Sequence, residues 1–177
     1  MKSLRLITAL LLAASSSMLA QTGPNLRVGL AALGQPVLLD TLAHPQPLTG
    51  DRAAVLGALI NVYEYLGIPI DYKNTEAGIV VAERFSVRRQ LGKSALSRYI
   101  DCGQGFNGVN ANVYRITMVV ASWLYPATGP VSQVHIAVTA SGQDMAGSNT
   151  QSVLCTSKGV LEEELAGLAR KRVALGQ

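Results

Sequence analysis

The segment Tyr114-Arg115-Ile116-Thr117-Met118-Val119-Val120-Ala121-Ser122-Trp123-Leu124 decides the fold class. Tyr114, Ile116, Met118 and Val120 alternate with Arg115, Thr117, Val119 and Ala121, and Trp123 continues the second set. Successive side chains of an extended backbone point to opposite faces, so this period of two predicts a long half-buried β strand. The apolar run from Val113 to Leu124 is interrupted by Arg115, Thr117 and Ser122, which argues against a membrane span. Downstream, Tyr125-Pro126-Ala127-Thr128-Gly129-Pro130 turns the chain. Val134, Ile136, Val138 and Ala140 then alternate with Gln133, His135, Ala137 and Thr139, which predicts a long antiparallel hairpin.

On the N-terminal side, Thr49, Gly50 and Asp51 offer a helix cap, and Val55, Leu56, Leu59, Val62, Tyr63 and Leu66 recur at helical spacing. Gly67 and Pro69 stop that helix. Ile68, Ile70 and Tyr72 read as a short strand, and the turn-prone stretch from Lys73 to Gly78 leads into a hairpin partner at Ile79 to Val87. On the C-terminal side, Gly142 to Thr150 is a polar loop and Val153 to Thr156 a short strand. The last helix is expected to begin near Ser157 or Lys158, with Leu161, Leu165 and Leu168 on one face. Glu162, Glu163 and Glu164 in its first turn and Arg170, Lys171 and Arg172 at its end complement the helix dipole. Together these elements predict an α+β fold, an antiparallel sheet of about five strands with two helices packed on one face.

The 177 residues are 49% hydrophobic and 15% charged, a composition that excludes a disordered chain and fits one folded domain. Part of the hydrophobic excess lies at the N-terminus, where Lys2 and Arg5 precede the apolar run Leu6 to Ala14 and small residues lead to Ala20. This is the pattern of a cleaved secretory signal over residues 1–20, followed by a Gly- and Pro-rich linker with one edge strand over 21–50 and a single domain over 51–177. Cleavage leaves 13 basic against 11 acidic residues, a net charge of about +2, so a cationic nucleic-acid binder is not expected. Export places the chain in the periplasm or outside the cell, with no transmembrane segment in the mature protein. Cys102 and Cys155 are its only cysteines, and an even pair in an oxidising compartment reads as one structural disulfide. A metal pair and a cysteine nucleophile are the alternatives. His44 and His135, the only histidines, lie in a Pro-rich stretch and on a strand, visibly beside neither cysteine.

The chain carries no recognisable catalytic motif. Gly103, Gly105 and Gly108 match G-x-G-x-x-G, but a dinucleotide loop needs a helix to follow and the sequence continues into the β strand instead. The three consecutive glutamates diverge around a helix, so a solvated first turn is expected rather than an acid and base pair. Asp71, Glu76, Glu83 and Asp101 are scattered, and neither a calcium loop, an H-E-x-x-H pattern nor a G-x-S-x-G elbow occurs. No cofactor, metal or catalytic residue is assigned, and the chain is not expected to be an enzyme.

Two surfaces stand out. Arg84, Arg88, Arg89, Lys93 and Arg98 fall within 15 residues containing no acid, and could present one cationic patch to anionic headgroups, lipopolysaccharide or an acidic protein. Val119, Ala121 and Trp123 lie on the strand face opposite Ile116 and Val120, leaving an apolar strip that is exposed for a partner or homodimer, or covered by residues 25–40.

The order of elements, with Tyr65-Leu66-Gly67-Ile68 ending the first helix and Gly78 before the strand pairs, resembles the helix-grip domains of the BamC-type outer-membrane assembly lipoproteins. The strings Leu96-Ser97-Arg98-Tyr99-Ile100-Asp101-Cys102-Gly103, Tyr114-Arg115-Ile116 and Val153-Leu154-Cys155-Thr156-Ser157-Lys158-Gly159-Val160-Leu161-Glu162 are similar to those of a group of uncharacterised secreted bacterial proteins. The resemblance implies a helix-grip-like fold and paired cysteines over about residues 51–170, and no catalytic residue. No cysteine near the cleavage point is available for acylation, unlike the lipoprotein pattern. The expected function is a non-catalytic interaction or accessory domain of the cell envelope, with an envelope protein or anionic envelope component as partner. The alternative is a carrier of a small apolar, lipid-like ligand held between sheet and helices.

Overall fold

The computed structural model describes residues 26–29, 36–145 and 151–176; the predicted signal segment 1–20 lies outside them. Short β1 (Arg27–Val28) pairs with β2 (Val37–Leu38), and a 3-10 turn (Leu39–Leu42) leads into β3 (His44–Gly50). Helix α1 (Arg52–Leu66) is followed by β4 (Tyr72–Asn74), β5 (Ile79–Arg88) and the small hairpin β6 (Gln90–Leu91) and β7 (Ser94–Ala95). Then come β8 (Ile100–Asp101), the hairpin β9 (Gln104–Gly105) and β10 (Gly108–Val109), and the one-turn α2 (Asn110–Val113). The long strands β11 (Arg115–Tyr125) and β12 (Val131–Gln143), then β13 (Ser152–Ser157) and α3 (Val160–Ala174), complete the chain.

The main sheet has seven strands in the order β4-β5-β11-β12-β13-β8, with β3 also pairing to β12. The predicted hairpin forms in register from Arg115 opposite Gln143 to Tyr125 opposite Gln133. The sheet is thus larger than the expected five strands, and a third, short helix is present. One of the added strands, β3, lies where the prolines suggest a linker. Pro45 and Pro47 lack an N–H, and an edge strand along β12 tolerates that loss. The other is β8, two residues long, which pairs with β13.

Asp51 caps α1, its carboxylate accepting from the Ala53 and Ala54 N–H groups at 3.0 and 3.2 Å, an arrangement worth about 1 kcal/mol. Gly67 ends the helix in the left-handed region, with the Ile68 N–H donating to the Tyr63 carbonyl. Both long helices pack on one face of the sheet, where Leu59, Val62, Leu161 and Leu165 meet Ile116, Met118, Val120 and Ile136. Ser122, which interrupts the apolar strand in the sequence, points into this layer and bonds the buried Tyr63 hydroxyl at 2.8 Å. Arg52 joins two turns to α1, donating to the Pro126 carbonyl at 3.0 Å and to the Ala77 carbonyl at 2.9 Å.

Glu162 departs from expectation. It is fully buried, not solvated, and its carboxylate accepts from the Ser157 hydroxyl at 2.6 Å. Helix α3 begins at Val160, after Gly159, so residue 162 falls on the face shared with Leu161, Leu165 and Ala166. Glu163 alone of the three is exposed.

Candidate functional site

The two faces of the sheet differ. The face away from the helices is apolar at one end, where Val81, Val119, Ala121, Trp123 and Ala137 form a second small core. Leu39 completes that core, and Leu26 and Ala43 pack against it. Val119, Ala121 and Trp123 are 0%, 0% and 3% exposed, so the strip is not an open surface. Burial of such side chains contributes about 25 cal/mol per Å² removed from water, which favours holding Leu26, Leu39 and Ala43 over them.

The other end of the same face is polar. Gly29, Arg84, Arg115, Thr117, Ser141, Gln143 and Ser152 line a cleft of about 430 Å³. Arg115 and Thr117 pair directly with Gln143 and Ser141 across the long hairpin, and Gln143 pairs with Ser152 on β13. Arg84 reaches the cleft through a bulge in β5 opposite Val119, where its φ is +45°. Arg88 stands directly opposite Arg115 on the neighbouring strand. Phe85 and Val87 pack into the helix-side core, so the alternation puts Arg88 on the helix-free face. Among the described residues no carboxylate lines the cleft, and none of these three arginines forms an ion pair.

The five cations grouped by the sequence therefore do not form one patch. After Arg88 the chain crosses to the helix layer, where Leu91 and Leu96 are buried in the main core. Arg89, at φ +65°, begins that crossing, and Lys93 follows Gly92, which sits against Leu66 of α1. Arg98 lies near α3, 3.9 Å from Glu164. Arg84 and Arg88 instead share a face with Arg115, which the sequence does not assign to the patch. A cue exists in the chain: Arg115, Thr117, Ser141 and Gln143 all fall on the Val119 and Ala137 parity of the two long strands.

Cys102 and Cys155 form the expected disulfide, their Cα atoms 4.1 Å apart. The bridge ties the segment after β8 to β13, the strand that leads into the last helix. The glycines of the G-x-G-x-x-G match shape the β9–β10 hairpin, where Gly105 pairs with Gly108. The one-turn α2 follows it rather than the long strand directly, and the Asn110 side chain donates to the Cys102 carbonyl at 3.1 Å. Asp71 and Asp101 are taken up locally, accepting the backbone N–H groups of Glu83 and Gly103 at 2.6 and 2.8 Å.

Between sheet and helices, Leu59, Leu66 and Leu161 are 4% exposed or less, and Leu168 packs beside them, so side chains occupy the interlayer at these positions. A second, mainly apolar cleft of about 460 Å³ lies elsewhere, lined by Leu42, His44, Val138 and Leu154 where β3 and β13 leave a gap along β12. No helix among the described residues is long and apolar enough to cross a membrane. Comparison with known proteins finds no family model that matches this chain, and no curated protein or solved structure similar to it.

Proposed function

We propose that the mature chain is an exported, non-catalytic binding domain of the cell envelope, which holds an anionic envelope component on the arginine end of its helix-free sheet face. The observation that carries this reading is the pair Arg88 and Arg115, directly opposed on neighbouring strands, with Arg84 on the same face and no acid among the described residues lining the adjoining cleft. Like charges directly opposite destabilise a strand pair, and a bound anion turns that repulsion into attraction. Export is supported by the signal pattern of residues 1–20 and by the paired cysteines. Two long helices on one face of an antiparallel sheet are consistent with the helix-grip resemblance. The occupied interlayer favours surface binding over carriage of an apolar ligand there.

The test is cosedimentation of the mature, oxidised protein with envelope membranes of its host at low and high salt. Sedimentation at low salt, release at high salt, and loss in the double variant Arg88→Glu with Arg115→Glu are expected. Arg88→Glu alone puts a carboxylate opposite Arg115, so this variant is expected to melt no lower than the parent. Equal sedimentation of the double variant and the parent overturns the assignment.

A further inference from the structure

We infer that the cleft between Arg84 and Arg115 is a site for a phosphoryl group carried on a small organic body, as in a phosphomonoester. The inference rests on the reading of this face given above and names its ligand.

The donors converge from four adjacent strands. Arg84 comes from β5, Arg115 and Thr117 from β11, Ser141 from β12 and Ser152 from β13. Ser141 is only 5% exposed and still lines the cleft, so a hydroxyl donor lies in a largely desolvated position. A carboxylate has two coplanar oxygens, and one guanidinium fork satisfies it. A phosphoryl group presents three terminal oxygens in different directions and carries a charge of about −1.5 to −2 at neutral pH. Two guanidinium groups and three hydroxyls arriving from different strands match that distribution better than a planar, singly charged acid.

The backbone supports the same assignment. Arg84 occupies a left-handed conformation at a bulge, a strained geometry for a residue with a side chain. The bulge brings Arg84 onto the face where Arg115 stands. Inorganic phosphate alone does not fill the cleft, whose volume of about 430 Å³ lies in the range of small-ligand sites. The phosphoryl group can come from a soluble phosphomonoester or from a lipid headgroup.

Calorimetric titration of the mature, oxidised protein in phosphate-free buffer at constant ionic strength tests the site, with inorganic phosphate, glycerol 3-phosphate and acetate as probes. Phosphatidylcholine vesicles with and without phosphatidic acid form the second arm. Glycerol 3-phosphate is expected to bind more tightly than inorganic phosphate, with no acetate binding. Arg84→Gln and Arg115→Gln are each expected to weaken binding about tenfold or more. Ser141→Ala weakens it severalfold, and Arg98→Gln, beside Glu164, leaves it unchanged. Binding of glycerol 3-phosphate in solution supports a soluble ligand, and retention on vesicles only when phosphatidic acid is present supports a headgroup. Acetate binding as well as phosphate, or no binding of either phosphate compound or of phosphatidic acid vesicles, overturns the inference. If salt-sensitive cosedimentation with envelope membranes persists in that case, the proposed function stands and only the phosphoryl assignment falls.

Discussion

His135 lies on β12 beside two aromatic rings, its centroid 5.7 Å from Trp123 and 5.4 Å from Tyr125. Its Nε2 is buried without a hydrogen-bond partner among the described residues. Burial lowers its pKa from the ordinary value of 6.5, and the Asp40 carboxylate opposes that shift only in part. The unfolded chain therefore binds a proton at a higher pH than the folded one, and stability is lost as pH falls below 6.5 toward the lower folded value. Thermal melting between about pH 7.5 and 5.5 is expected to show a falling midpoint that flattens in His135→Gln. An equal slope in that variant would show that other groups set the pH dependence. Glycine is required at position 78 on similarly local grounds. Its φ is +67°, and an added Cβ would come within 2.7 Å of Arg52 and 2.9 Å of Leu124.

At the scale of elements, β8 has only two residues and pairs with the end of β13 at Asp101 opposite Thr156 and Ile100 opposite Ser157. So short an edge strand has little pairing to hold it, and the Cys102–Cys155 bridge fixes it from one side. The cysteines are 53 residues apart in sequence, and closing a loop of that length in the unfolded chain stabilises the fold by about 4 kcal/mol on the chain-entropy account. Reduction, or Cys102→Ala with Cys155→Ala, is expected to lower the urea midpoint and to steepen the slope, because the opened unfolded chain exposes more surface. A midpoint that does not move under reductant would assign the stability of this region to the Asn110 and β13 contacts alone.

For the whole molecule, the sheet is enclosed on both faces by different means: α1 and α3 on one, and Leu26, Leu39 and Ala43 over part of the other. Leu39 is 1% exposed and is the most buried residue of that cover. Leu39→Ala removes a large side chain from the small core, at a cost of about 2–5 kcal/mol. Trp123 is the only tryptophan and belongs to this core, so its emission reports the cover directly. A red shift in Leu39→Ala under native conditions is expected, and unchanged emission would mean that Leu39 does not keep Trp123 from water.

Local rules were enough for the long hairpin, for α1 and for the α+β class. Alternation from Tyr114 to Trp123 depends only on the pleat, and Asp51 and Gly67 act within one turn of the helix they bound. The disulfide was legible because only two cysteines occur. Alternation also sorts Val119, Ala121 and Trp123 from Ile116 and Val120, but it leaves open whether the first set meets water or Leu39. Neither the burial of Glu162 nor the entry of the Pro45 and Pro47 segment into the sheet is legible locally, since each depends on which distant element packs alongside. The cationic site follows the same logic. Nearness in sequence joins Arg84 to Arg98, whereas strand register and the crossing after Arg88 join Arg84 and Arg88 to Arg115. Periodicity and capping are set by covalent geometry over a few residues, but the sharing of a face is set by pairing between strands far apart in the chain, which only the packed fold decides.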